Sequence, residues 1–215
     1  MKTVTYTLLS DGSSDRALMP LLDWLLRTHL PTVAIQGSWA DLRRLPQPPR
    51  QFVDRIKMSM NLFPCDLLFI HRDAENVPHP ERVREIVDAV MQSRATADIA
   101  PTICVVPVRM QEAWLLFDEM AIRAAAGNPH GRSSLKLPRV RDVEDIPDPK
   151  DVLHALLRDA TGLHGRRRRH TTVSTLAHRV AELVDDFSPL RQVRAFAALE
   201  DELLNVITEQ GWIEY

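Results

Sequence analysis

Leu67-Leu68-Phe69-Ile70 runs directly into His71-Arg72-Asp73-Ala74-Glu75, and the way this junction is read decides the fold. Four consecutive apolar residues without polar alternation suit a strand buried on both faces. The abrupt change to charged residues marks the carboxyl end of that strand. Upstream, Thr3 to Ser10 (TVTYTLLS) is a β-rich run stopped by Asp11-Gly12-Ser13-Ser14-Asp15. Downstream, Thr102 to Val106 (TICVV) repeats the pattern, and Thr32 to Ile35 offers a shorter strand. Between these runs the apolar spacing becomes helical. Leu18, Leu21, Leu22, Leu25 and Leu26 mark a helix over 16–29, and Phe52, Val53, Ile56 and Met60 mark one over 51–60. Further helices are predicted over 81–94 and, as one long element, over 110–126, ended by Gly127-Asn128-Pro129.

Strands alternating with helices at this spacing predict βαβ units and a mostly parallel sheet flanked by helices, an α/β fold. Residues 1–127 form the α/β part in this reading. Residues 128–215 begin with a loop rich in proline and charge and continue as a C-terminal helical extension on the same core. Its helices are expected at 149–160, 172–184 and 190–210, with Pro149 suited to a first helical position.

The chain has 215 residues, 45% of them apolar and 26% charged, with a formal net charge of -2. These proportions exclude a disordered or collagen-like chain, and no apolar run approaches the roughly 18 residues of a membrane span. The first residues reach Asp11 before a signal-peptide core could finish, so none is expected. Cys65 and Cys104 sit beside or inside apolar runs, as buried free thiols do, and a cytoplasmic location is the expectation. The charge is unevenly spread. From Arg158 to Arg179 there are six Arg against one Asp, a sum of +5, whereas from Val180 to Tyr215 two Arg meet eight acids, a sum of -6. A total near zero therefore does not argue against a polyanionic partner.

In an open parallel sheet, ligands bind beyond the carboxyl ends of the strands. Acids stand there in three places: Asp11 and Asp15 after the first strand, Asp73 and Glu75 after the third, and Glu112, with Asp118 beyond it, after the fourth. Crowded carboxylates repel unless a cation neutralises them, and hard oxygen donors suit Mg²⁺ or Mn²⁺. Each acid also has a plainer reading. Asp11 and Ser13 fit a turn or helix cap, Asp73 and Glu75 a solvated loop, Glu112 a first helical turn favoured by the dipole, and Asp118 a solvated helix face. His71 is left outside the core set, because a histidine at a strand end is more often packed than ligating. There is no Gly-x-x-x-x-Gly-Lys-Ser/Thr, no Gly-x-Gly-x-x-Gly and no Gly-x-Ser-x-Gly, and no Cys/His spacing suits zinc.

Asp11-Gly12-Ser13-Ser14-Asp15 after a strand resembles the first motif of the Toprim fold, and Asp73-Ala74-Glu75 resembles its second. Pro107-Val108-Arg109-Met110-Gln111-Glu112-Ala113-Trp114-Leu115-Leu116-Phe117-Asp118 resembles a segment of the bacterial Toprim-like family called domain of unknown function 4276, which is distantly similar to OLD-type nucleases. The resemblance spans nearly the whole chain, with Glu-Ala-Trp-Leu-Leu its distinctive part. It implies a Toprim-like, Rossmann-like fold and Mg²⁺- or Mn²⁺-dependent phosphodiester cleavage, that is, a nuclease. Asp11, Asp73 and Glu75 would be its metal ligands and Glu112 a further catalytic acid. It also implies a role in bacterial defence beside an ATPase partner. Toprim proteins usually carry Glu where this chain has Asp11, and Asp where it has Glu75. Each change moves a carboxylate by about one methylene, roughly 1.5 Å. The alternative is a subunit that keeps the fold and binds nucleic acid or a protein without cutting.

Arg166-Arg167-Arg168-Arg169 lies between two predicted helices, and four adjacent guanidinium groups can clamp phosphates or stand solvated in a turn. With Lys150, one of only four lysines, they are the candidate nucleic-acid contacts, DNA ahead of RNA.

Overall fold

The computed structural model describes residues 2–165, 173 and 175–212. Four parallel strands form one sheet in the order β2-β1-β3-β4: β1 (Thr3–Leu9), β2 (Ala34–Ala40), β3 (Leu67–His71) and β4 (Thr102–Val105). Helices α1 (Met19–His29), α2 (Phe52–Leu62) and α3 (His79–Arg94) connect them. The chain is therefore α/β, compatible with a Rossmann-like arrangement. Beyond the sheet come α4 (Glu119–Ala125), α5 (Pro149–Ala160), α6 (Leu176–Leu183) and α7 (Arg194–Glu209).

Side-chain alternation along the strands divides the core in two. Val4, Tyr6, Leu8, Phe69, Ile103 and Val105 point to one face, covered by α1 and by the helices that follow residue 113. Leu9, Leu68, Ile70 and Cys104 point to the other, covered by α2 and α3. All of β3 is buried, as its unbroken apolar run requires. The C-terminal helices share the first core with the sheet, and Phe187, Phe196, Leu199 and Leu203 are no more than 2% exposed within it. Both cysteines are free thiols, Cys104 buried and Cys65 half-buried. No helix among the described residues is long and apolar enough to cross a membrane.

The helix expected over 190–210 begins only at Arg194, after a 3-10 turn over Ser188–Gln192, and two elements depart further from the sequence expectation. The second strand runs to Ala40 instead of ending at Ile35, because it pairs with the full length of β1 even though Gln36, Gly37 and Ser38 break its apolar run. Gly37 is needed where the Tyr6 ring crosses β2, since a Cβ there would overlap the ring. The long helix expected over 110–126 is two pieces. Met110 is extended and Gln111–Leu115 is a 3-10 turn. Asp118 then restarts the chain as the N-cap of α4, its carboxylate accepting from Ala121 N at 3.0 Å. An Asp that satisfies the orphan amides of a new helix competes with continuation of the old one. Pro149 occupies the first turn of α5 as its sequence suggests, and Asp148 caps it through Asp151 N at 2.8 Å.

Candidate functional site

The carboxyl ends of β1, β3 and β4 meet at one edge of the sheet, and the loops leaving β3 and β4 are stitched together there. Ala74 N donates to Pro107 O at 3.1 Å and Glu75 N to Arg109 O at 2.9 Å, extending the parallel ladder beyond the strands. Glu75 (φ 52°) and Arg109 (φ 64°) both adopt left-handed backbone, a conformation that costs a non-glycine residue about 1–3 kcal/mol and persists where its surroundings fix it. The Arg109 guanidinium donates to Glu75 O at 3.1 Å and Asn76 Oδ1 at 2.8 Å, locking the pair.

Beneath these loops lies a cluster of acids. Asp73 accepts from Gln111 N through Oδ1 at 2.9 Å. Asp15 is 5% exposed and accepts from Gly12 N at 2.5 Å and from Gln111 Nε2 at 3.1 Å. Glu112 is also 5% exposed, with Lys150 Nζ 3.9 Å from its Oε1. At the centre is His71, buried at the end of β3. Its Nδ1–H donates to Val105 O at 2.9 Å. That bond turns Nε2 toward Asp73 Oδ1 at 3.6 Å and Asp15 Oδ2 at 4.0 Å. Burial pushes the Asp73 carboxyl up to about 6; His71 opposes the shift, while Glu112 and Asp15 add to it. The cluster thus concentrates negative charge in a poorly solvated place. One further atom is uncompensated: Gln111 Oε1 is buried without a hydrogen-bond partner among the described residues.

The other acids singled out from the sequence sit differently. Asp11 is exposed, one oxygen paired with Arg55 Nη1 and the other 3.4 Å from Arg72 Nε. Arg72 continues to Glu85 at 2.9 Å, which also takes Arg82 at 2.6 Å, and its guanidinium lies 5.1 Å above the Phe52 ring. The Glu75 side chain is exposed, although it lines, with Asp11, Asp15 and Asp73, a hollow of about 300 Å³. Lys150 stands at the start of α5 beside Glu112. Arg166, Arg167, Arg168 and Arg169 lie outside the described residues.

No family of known proteins, no curated protein and no solved structure matches this chain. The site therefore has to be read from its own chemistry.

Asp15, noted at the strand end but given no role, His71, set outside the core group, and Gln111, given no role, are the residues that the structure adds to the site. Asp15 carries a usable signal. It is the second residue of a 3-10 turn (Ser14–Leu18) whose residues three apart share a face, and Leu18, three residues on, is buried. For Gln111 and Glu112, the signal is the run of residues 111–115, all buried despite two polar members.

The donor set is one of hard oxygens, carboxylates with an orphaned amide oxygen, and in kind it fits Mg²⁺ or Mn²⁺. No group of three or more His, Cys, Asp or Glu among the described residues is arranged as a preformed metal cage. For Mg²⁺ that is not a contradiction, because this ion commonly takes one or two carboxylates, several waters and the oxygens of a substrate phosphate.

Proposed function

We propose that the protein is a Toprim-like, Mg²⁺- or Mn²⁺-dependent phosphodiester-cleaving enzyme acting on nucleic acid, with Asp73, Glu112 and Asp15 as its working acids. One observation carries the reading. Asp15 and Asp73 face one buried histidine, and burial together with the charges of Glu112 and Asp15 pushes the Asp73 carboxyl up to about 6. Such an arrangement is costly for an idle surface and useful for a site that receives cations and phosphates.

A divalent ion bound there together with a substrate phosphate supplies charge neutralisation for the developing phosphorane oxygens and lowers the pKa of water. The chain's own residues do the rest. Gln111 N fixes one Asp73 oxygen, leaving the other to ligate or to exchange a proton close to neutral pH. His71 is held in one orientation by Val105 O, so its Nε2 offers a second proton-transfer position beside the same carboxylate. Lys150 stands 3.9 Å from Glu112 and is the candidate contact for a substrate phosphate.

Purified protein incubated with supercoiled and linear DNA and with RNA, with Mg²⁺ or Mn²⁺, tests the proposal. Cleavage abolished by Asp73→Ala and by Glu112→Ala is expected, and cleavage indifferent to Asp73→Ala would sink the assignment.

A second reading rests on Asp11. At the position of the first Toprim motif's acid, this chain has a carboxylate occupied on both oxygens by Arg55 and Arg72. A non-catalytic subunit that binds nucleic acid or a protein partner would have that feature. It predicts no cleavage with any metal, and binding that survives Asp73→Ala but falls on charge reversal of Arg166 to Arg169.

A further inference from the structure

A second and larger hollow opens beside the acids. It has a volume of about 550 Å³ and meets the acidic hollow at Ser14; Gln111 and Glu112 are at one end and Trp39 and Arg44 among its other walls. Its size falls in the range of roughly 300–1,000 Å³ that holds one small organic ligand. That is room for about one nucleotide and far too little for a duplex. The wall is cationic: Arg16, Arg44 and Lys150 all line it, and among the described residues Glu112 is its one carboxylate. Arg44 is paired to Asp41 at 3.0 Å. The Arg16 side chain has no hydrogen bond or ion pair among the described residues, and it stands one position after Asp15.

Trp39 is the half-buried aromatic of this cleft, at the carboxyl end of the edge strand β2. Its indole N–H donates to Ser10 Oγ at 3.0 Å, and Ser10 is itself buried. The ring is therefore held in place before any ligand arrives, and its one polar atom is already satisfied. What remains for a ligand is the π-surface. At the other end, Gln111 is 4% exposed and its Oε1 has no partner among the described residues, an acceptor in need of a donor or cation.

A fixed aromatic surface, a guanidinium unpaired among the described residues and an ammonium around a nucleotide-sized space are the parts that bind single-stranded nucleic acid by stacking and phosphate contact. We infer that this cleft takes an unpaired nucleotide of a DNA or RNA strand, its base stacked on Trp39 and its phosphate held by Arg16 and Lys150 next to Glu112. The inference rests on the proposed function in placing the phosphate beside the acids, and it adds the substrate class: an unpaired segment or strand end, with the intact duplex excluded.

The test is equilibrium binding by fluorescence anisotropy, with the full chain in Ca²⁺ and a labelled single-stranded DNA oligonucleotide. Single-stranded RNA of the same sequence, the blunt duplex, an abasic single strand and thymidine monophosphate serve as competitors. Both single strands are expected to outcompete the duplex by about tenfold or more. Trp39→Ala should weaken the oligonucleotide by about 5- to 100-fold, the worth of one base–aromatic stack, while Trp39→Phe keeps most of the affinity. The abasic strand should compete poorly with wild type and bind Trp39→Ala no worse than the normal strand does. Arg16→Ala should weaken binding for every strand alike and flatten its salt dependence. A duplex that binds as tightly as the single strand, or a Trp39→Ala protein with unchanged affinity and an unchanged urea midpoint, would overturn the inference. So would thymidine monophosphate competing as well as the oligonucleotide, which would assign the cleft to free nucleotides. A protein that binds single strands through Trp39 but cuts none with Mg²⁺ or Mn²⁺ would leave this inference standing and remove the catalytic reading. A protein that cuts while indifferent to Trp39 would do the reverse.

Discussion

Two groups of acids stand near the same edge of the sheet, and are treated in opposite ways. Asp11 and Glu85 are met by Arg55, Arg72 and Arg82 at ion-pair distance, in a half-exposed network that ties the end of β1 to α2 and α3. Asp15, Asp73 and Glu112 are more deeply placed, and among the described residues they meet only a histidine at 3.6–4.0 Å and a lysine at 3.9 Å at ion-pair distance. The first group neutralises itself and stabilises a junction. The second accumulates charge that the described residues leave largely uncompensated. Position at a strand end does not separate the two; the supply of arginines does.

That contrast can be broken in three ways. The largest expected effect is on cleavage. Asp73→Asn or Glu112→Gln should lower the single-turnover rate by about 10²–10³-fold, as loss of one transition-state contact commonly does, whereas Asp11→Asn should change it by less than about threefold, within the range of a surface ion pair. Equal losses at Asp11 and Asp73 would erase the distinction.

Stability should move in the opposite direction. The folded-state pKa of Asp73 is raised from 3.8 to about 6, so the folded protein holds this proton more tightly than the unfolded chain. The stability this confers is fully present below about pH 4 and is lost as pH rises through about 6. Asp73→Asn, which never ionises, should therefore be more stable than wild type at pH 8 in EDTA, by about 1–3 kcal/mol after allowance for partial exposure. Urea midpoints of the two proteins should converge near pH 4. A wild type as stable as Asp73→Asn at pH 8 would show that the cluster is not strained.

The smallest effect belongs to the neutralised group. Arg72→Ala removes contacts to Asp11 and Glu85 together with the packing over Phe52, and should cost about 1 kcal/mol. High salt should shrink the loss. Chemical denaturation at two ionic strengths measures both, and a loss several times larger would make this network the main support of the edge.

Where a single face or a single cap governs an element, the sequence was readable. The unbroken LLFI run is a fully buried strand, and Asp148-Pro149 begins α5 at the expected residue. Where two demands compete, it was not. The polar half of β2 is strand because β1 offers it a partner, which no local pattern records. The 110–126 segment has helical spacing throughout, yet Asp118 caps a new helix in the middle. The acids show the same limit. Asp11 and Asp15 are one residue type in one motif, and what separates them is the reach of Arg55 from another helix and the 3-10 turn that folds Asp15 inward. Glu75 was legible as an acid near the site, but its left-handed backbone and exposed side chain follow from the lock formed with Arg109.

The shared core of the sheet and the last helices has a consequence for the chain's birth. Val4, Tyr6 and Leu8 are synthesised early, and their cover includes Phe187, Phe196 and Leu203, which are synthesised late. Lys2 Nζ donates to Gly211 O at 3.2 Å across 209 positions of sequence. Closure of that face has to wait for these helices, so a chain cut before them exposes part of the apolar sheet face they cover. The two ends of the described chain are thus one cooperative unit: loosening α7 uncovers β1.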